Sequence, residues 1–441
     1  MKVSNMMKVF KYPSAASQKR LDAIVNRGLA FRVKETQTVK KILADIRTNK
    51  DKALIGYIRR FDAPKLSIKS LKVTKREFED AQRHVDKGFL RSLSKAARHI
   101  EAFHRHQVEH SWSVTSADGT LLGQLVRPVN TAGVYVPGGR GGETPLVSSV
   151  LMGCIPAKVA GVRNICVTTP PTKRGKVNPY VLAAAKKIGV DTVFKAGSAW
   201  GIAALAYGTE TVPRADVIVG PGNVFVTLAK KMVAGTVGVD TVAGPSEILV
   251  IADQRANPNY IAADLLSQAE HDPLASAILL TTSAEMAKAV VVAIKGQLME
   301  LPRREIAEAS LKAYGAIVVV PSLAVCFDLA NQIAPEHLEL HVEKPDQCLG
   351  YIQNAGAVFV GPYTPEAVGD YIAGPNHVLP TAGTARFASA LAVDHFIKKT
   401  SVIYYSKKAL KRDAPDIIRL AEIEGLTAHA RAVSIRKRSL L

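Results

Sequence analysis

The sequence predicts an α/β protein: two parallel-sheet units with helices on both faces, a helical region ahead of them and a small helical extension behind. Three observations predict it. From residue 122 onward short apolar runs alternate with amphipathic stretches of helical length, the pattern of strand–helix–strand units that bury a parallel sheet. Residues 1–115 lack that alternation and carry charged stretches with apolar residues at helical spacing. A Gly- and Pro-rich segment at 374–383 interrupts the pattern before the last helices.

Taken in order, helices are expected over residues 20–30, 35–60 and 75–107. The third carries His84, His99, His104 and His106, with His110 just beyond. His106 and His110 are spaced for a metal, but the dense charge and the lack of an acidic partner favour a solvated helix face. Strand 133–137 opens the first series, with a glycine loop at 138–142, helix 147–157 and strand 164–168. Helix 178–188, strand 192–196, a helix from Ala199, strand 216–220 and helix 223–233 continue it. The second series has strands 248–251, 277–281, 316–320, 338–342 and 357–360 with helices between. A helix, strand 401–405 and a last helix to about residue 431 close the chain. Four regions result: 1–120, helical and packing on the second α/β unit; 121–246, the first α/β domain; 247–385, the second; and 386–441, the C-terminal extension.

Composition narrows the function. The 441 residues are 47% hydrophobic and 22% charged, a globular balance with room for about three domains. No run of eighteen apolar residues is present, so no membrane span is expected. The first residues, Met1 to Lys8, lack the apolar core of a signal peptide. Cys154, Cys166, Cys326 and Cys348 form no CxxC pair, which argues against a disulfide frame and for a cytoplasmic protein. The net charge is +20, yet the basic residues are scattered and aromatics are only 6% of the chain. A groove for single-stranded nucleic acid interleaves the two, so no specific nucleic acid is expected; a basic surface that aids anionic substrates or cofactors fits better.

The chemistry concentrates in a few stretches. In Asp264 to Pro273 the apolar Leu265, Leu266 and Ala269 form a helical stripe that Pro273 ends. Gln268 and His271, three apart, leave one face of the last turn, so an amide oxygen and an imidazole can begin a metal site beside Glu270 and Asp272. Two glycine turns, Pro137 to Gly142 with Arg140 and Val219 to Val224 with Asn223 at a helix cap, follow strands and can approach an anion. Neither fits the G-x-G-x-x-G dinucleotide fingerprint. At Gln332 to Leu340, Pro335 precedes the adjacent titratable pair Glu336 and His337. A carboxylate and an imidazole at one strand entrance suit proton abstraction and water activation, provided the turn curls both inward. Asp370 and His429 can complete a mixed N/O metal sphere.

Six motifs occur together and in order: Gly133 to Gly139 (GVYVPGG), Ala243 to Glu247 (AGPSE), Gln268 to Pro273 (QAEHDP), Ala334 to Leu338 (APEHL), Gly374 to Pro380 (GPNHVLP) and Glu424 to His429 (EGLxxH). Through them the chain resembles the histidinol dehydrogenase family from about residue 20 to 432. The resemblance implies two Rossmann-like domains and a zinc-dependent, NAD-linked enzyme that oxidises L-histidinol twice, through the aldehyde, to L-histidine. It implies one Zn²⁺ per subunit on Gln268, His271, Asp370 and His429. Glu336 would activate water for the second oxidation, and His337 would take protons from the alcohol and then the hydrate. Substrate would also meet Ser246, Glu424 and the four metal residues, and NAD would meet Tyr135 and Asn223. A homodimer is implied as well, with the C-terminal segment crossing to its partner.

Two departures stand out. Trp200 occupies a position where many family members have Gln, which puts that NAD contact in question, and the loop from Gly138 to Thr144 is longer than usual. Related enzymes oxidise other small polyfunctional alcohols, a sulfonated propanediol among them, so such a dehydrogenase is the alternative function. A basic RNA-binding protein on the same scaffold is the non-enzymatic alternative.

Overall fold

The computed structural model describes residues 7–27, 33–139, 142–241 and 244–439. Residues 28–30 of the first expected helix, Arg140 of the glycine loop and Ala243 of the AGPSE motif lie outside them. Met1–Gln107 with Asn130–Phe396 form one compact unit, and Val108–Val129 with Ile397–Leu441 another.

The strands begin with β1 (Lys8–Lys11), β2 (Trp112–Thr115), β3 (Leu121–Pro128), β4 (Thr131–Tyr135) and β5 (Asn164–Thr169). Next are β6 (Val193–Lys195), β7 (Val217–Val219), β8 (Gly238–Val239), β9 (Glu247–Ala252) and β10 (Ser276–Thr281). The series ends with β11 (Gly315–Val319), β12 (His337–His341), β13 (Ala357–Val360) and β14 (Ile397–Tyr404). In the larger unit the first sheet has the order β6-β5-β4-β7-β8 and the second β1-β11-β10-β9-β12-β13. All pairings in both are parallel. Apart from the added edge strand β1, both sheets run 3-2-1-4-5 in their own chain order. That is the doubly wound arrangement, with a switch point between the first and fourth strands of each sheet.

Burial explains why these runs became strands. Every residue of β9 and β10 is buried. Ile248 and Val250 face one helical layer, and Leu249 and Ile251 the other. Each such aliphatic side chain contributes about 1.5–3 kcal/mol relative to exposure, so two-sided burial outweighs the preference for alternating polarity. Against the first sheet, helix Ser198–Tyr207 intersperses small residues with Trp200, Ile202 and Leu205 and lies almost wholly in the core.

The N-terminal segment differs from the expectation of helices resting on the second α/β unit. β1 joins the edge of the second sheet against β11, and Leu21 and Ile24 of helix Ala15–Val25 pack on that sheet. The segment Val33–Phe61 is helical on both sides of a break at Lys50 (φ 48°), where one unbroken helix was expected. It packs instead on the first sheet, through Leu43, Ile46, Leu54 and Ile58. A four-residue strand paired with residues some three hundred positions away leaves no local signal. The expected helix 75–107 is two helices, Lys75–His84 and Lys87–Arg105. Val85 is extended, and the Asp86 side chain accepts from Phe89 N–H at 2.8 Å, so an N-cap restarts the helix. His104, expected on a solvated face, is buried with Nδ1 against Gln107 Oε1, because it lies on the apolar stripe with Leu93, Ala96 and Ile100.

The smaller unit is a three-stranded antiparallel sheet, β14-β3-β2, with helices Lys407–Ile423 and Thr427–Arg438. Strand 401–405 was expected, but the β2–β3 hairpin was not. No helix among the described residues is long and apolar enough to cross a membrane.

Candidate active site

Helix Pro258–Ala269 presents Asp264 and Gln268, four apart, on one face, with His271 a further turn on. Strand β12 presents His337, Glu339 and His341 on one face by its two-residue period. The two polar faces oppose each other inside the larger unit: His341 Nε2 lies 3.5 Å from Asp264 Oδ2 and 3.3 Å from Glu339 Oε2. Glu339 Oε1 accepts from the N–H of Glu366 at 2.9 Å, which anchors the start of the short helix Glu366–Tyr371. That helix carries Glu366 and Asp370, again four apart.

Glu336 and His337 converge on one residue. Glu336 lies in the turn before β12, after Pro335 and the left-handed Ala334 at φ 52°. It therefore escapes the strand alternation that would have pointed it away from His337. Its Oε2 accepts from Glu247 N–H at 3.0 Å, while His337 Nδ1 meets the carbonyl of Glu247 at 2.9 Å. A carbonyl only accepts, so Nδ1 carries the proton and Nε2 keeps its lone pair. Nε2 stands 3.7 Å from Glu366 Oε1. Burial holds the His337 imidazole down to about 4, so it is neutral near pH 7. Burial, then the charge of Glu247, pushes the Glu336 carboxyl well above its ordinary range. Ser246, immediately before β9, lies beside that carboxyl and draws its value back down.

His271, Glu366 and Asp370 bring ligand atoms within 4.8 Å of one another, and so do Asp264, Glu339 and His341 one layer deeper. With its nitrogen turned toward Glu366, the buried Gln268 amide donates to both carboxylate oxygens, at 2.9 and 3.0 Å. Its oxygen is then the atom left to serve a cation. Asp370 is pushed up to about 6 by burial. A cavity of about 620 Å³ reaches this group, lined by His337, Phe359, Asp370, Asn376 and His377. The site lies at the amino ends of β9 and β12, the switch-point pair of the second sheet.

The chain matches the family model described as histidinol dehydrogenase over residues 27–437. It is 53% identical over 426 residues to the histidinol dehydrogenase of Desulfotalea psychrophila, covering 96% of this chain and 98% of that one. With that of Clostridium acetobutylicum it shares 47% over 434 residues, 98% of this chain and 100% of that one. The chain belongs to the histidinol dehydrogenase family. The crystal structure of histidinol dehydrogenase from Elizabethkingia anophelis superposes with a TM-score of 0.92 at 39% identity, covering 99% of both chains. Family membership makes the protein an oxidoreductase.

Of the family residues carried over from the motifs, Ser246, Gln268, His271, Glu336, His337 and Asp370 lie together in the larger unit. Glu424 and His429 belong to the smaller unit, exposed on either side of the turn between its two helices. Tyr135 and the Gly220 turn before Asn223 sit side by side at the carboxyl ends of β4 and β7, the switch point of the first sheet. Tyr135 is buried and its hydroxyl accepts from Ser198 N–H at 3.0 Å. Asn223 caps helix Val224–Val233 through Oδ1, 3.1 Å from Phe225 N and 3.2 Å from Val226 N. Gly220 adopts φ +115°, and a Cβ there would stand 2.2 Å from the Tyr135 carbonyl oxygen.

Trp200 packs inside the protein. It stacks on Tyr57 and Phe61, and its Nε1 donates to Asp62 at 3.0 Å. Glu366, Glu339, His341 and Asp264 escaped the sequence reading. Their signals were present: two carboxylates four apart in Glu366 to Asp370, and polar residues at every second position of an otherwise apolar strand.

Proposed function

We propose that the protein carries out the four-electron oxidation of L-histidinol to L-histidine with two NAD, in histidine biosynthesis. The observation that carries the reading is the pairing of a buried neutral imidazole with a buried carboxylate on the two polar groups of Glu247, beside a cation-ready cluster.

His337 Nε2 takes the hydroxyl proton of the alcohol as the first hydride leaves carbon. Glu336 then holds and deprotonates the water that adds to the aldehyde while His337 returns its proton to the carbonyl oxygen. His337, neutral again, takes the hydrate's proton as the second hydride leaves. Two hydrides, one added water and the acid product balance the four electrons. Burial of Glu336 and His337 excludes bulk water, so the aldehyde is held until the water at Glu336 adds.

We assign Gln268, His271 and Asp370, with His429, to one Zn²⁺ per subunit. The donor set is mixed N and O and fits that ion. Zinc bound there would orient the imidazole and amine of the substrate as a Lewis acid. Ser246 and Glu424 complete the substrate contacts in this reading. NAD, which accepts both hydrides, is assigned to the carboxyl edge of the first sheet, within region 121–246, at Tyr135 and Asn223. There the close approach at Gly220 and a capped helix N-terminus suit a pyrophosphate. Exposed apolar residues of the smaller unit, among them Trp112, Val114, Ile403, Tyr404 and Ile423, support a homodimer in which the C-terminal segment crosses to the partner.

The deciding experiment is steady-state NAD reduction with histidinol against a sulfonated propanediol, in wild type and Glu424→Gln. Loss of the carboxylate should raise KM for histidinol more than it lowers kcat. Unchanged histidinol kinetics together with faster turnover of the sulfonated alcohol would transfer the assignment to that substrate class.

A further inference from the structure

Arg27 is remote in sequence from every residue of the site, yet its side chain is only 2% exposed. It follows helix Ala15–Val25, and its guanidinium reaches three segments. Nη1 donates to the Ile24 carbonyl at 2.7 Å and to Glu247 Oε1 at 3.1 Å. Nη2 donates to the Ser246 carbonyl at 3.3 Å, and Nε to the Leu274 carbonyl at 2.9 Å. The guanidinium also lies 5.5 Å from the centre of the Tyr314 ring.

The partners matter more than their number. Glu247 is the residue whose N–H holds Glu336 and whose carbonyl fixes the proton on His337 Nδ1. Ser246 precedes it, and Leu274 follows the His271-Asp272-Pro273 turn. Among the described residues Glu247 Oε2 has no hydrogen-bond partner, and Arg27 is the cation paired with this buried carboxylate. Burying a guanidinium with a carboxylate adds little to stability over apolar residues of the same size, because both charges lose their water. What a planar fork adds is direction: several acceptors are held at set angles by one rigid group.

We propose that Arg27 is a positioning residue for the pair Glu336–His337, acting through Glu247. This rests on the assignment of that pair as the catalytic one. Arg27 touches neither of its members. It holds the first residue of β9 so that one peptide's N–H and C=O address the carboxylate and the imidazole together. A displacement of that peptide by an ångström would misplace both groups at once.

The test uses full-length, zinc-loaded protein. Arg27→Ala should lower kcat about a hundredfold for histidinol and for supplied aldehyde alike, the scale of an ångström's misplacement. KM for NAD and zinc content should stay near wild type. Added guanidinium should restore about tenfold of the loss, and Arg27→Lys, which keeps the charge without the fork, should fall between. If the alanine variant does not fold, the lysine variant and its kcat against KM carry the test. Unchanged kcat, loss of zinc, or a fall shared by every parameter without guanidinium rescue would overturn the proposal. Glu336→Gln and His337→Asn serve as controls. If they keep full turnover the catalytic pair itself is misassigned; if they lose it while Arg27→Ala does not, the clamp alone is refuted.

Discussion

The carbonyl oxygen of Glu247 lies 2.9 Å from Nδ1 of His337, and that contact leaves Nε2 as the atom able to accept a proton. Glu336, held by the N–H of the same residue, is the group proposed to act on water. The distinct tasks proposed for the two groups predict distinct losses. Glu336→Gln should slow oxidation of supplied aldehyde about a hundredfold more than the first hydride transfer, while His337→Asn should slow both, each within the 10²–10⁴ typical of general bases. Single-turnover measurement of the two half-reactions decides. Equal losses on Glu336→Gln would end this division of labour.

The cluster of His271, Glu366 and Asp370 predicts metal dependence. Chelation should abolish turnover and zinc should restore it, and His271→Ala should lower the metal content found by elemental analysis. Full turnover by protein verified to be metal-free would remove zinc from the reading.

Gly356 supports Glu336 from behind. A Cβ at Gly356 would stand 2.5 Å from the Glu336 carbonyl oxygen, and Gly356 N–H donates to Pro335 O at 2.9 Å. Backbone must then move, so Gly356→Ala should cost about 1–3 kcal/mol of stability and lower kcat as well. Gly296, inside helix Ala284–Leu298, has nothing within 4 Å of such a Cβ. Gly296→Ala should stabilise by about 0.5–1 kcal/mol and leave kcat alone. Thermal unfolding and kinetics on both variants test the contrast.

Asp62 predicts a pH dependence of stability away from the site. Burial pushes its carboxyl up to about 6, with the Trp200 indole N–H pulling the other way. The folded protein therefore binds that proton more tightly than the unfolded chain, whose value is about 3.9. Stability is lost as pH rises from about 4 to about 6, because the unfolded chain releases the proton first. Asp62→Asn keeps an acceptor for the indole and removes this loss. Its Tm relative to wild type should climb through that window and level off above it. A constant difference across pH 4 to 7 would show that Asp62 does not titrate there.

By itself the sequence determined the strand–helix alternation and pointed to stretches that the fold brings together. Two-sided burial of β9 and β10 is written in their composition, and the spacing of Gln268 and His271 on one helical turn is a local property. Such features depend on neighbours within a few residues, so they can be read along the chain. Even the missed Glu366 and Asp370 obeyed the four-residue rule.

Only the tertiary structure decided where the candidate site residues sit. The glycine turns lie at the carboxyl ends of the first sheet, where doubly wound sheets bind ligands, but Glu247 and His337 stand at the amino ends of the second. Strand alternation along the chain cannot say which end of a sheet faces a cavity. Whether Glu336 turned toward its neighbour depended on the left-handed Ala334 and on a peptide group eighty-nine residues away. Trp200 was equally open until the end of the helical segment Val33–Phe61 supplied Tyr57 and Phe61, and the turn after it Asp62, as its partners. Arg27 gave no sign at all, since an arginine after a helix is ordinary until one sees what it holds. The physical reason is common to all of these: hydrogen bonds and charges between distant segments become strong and directional only after folding has excluded water from between them.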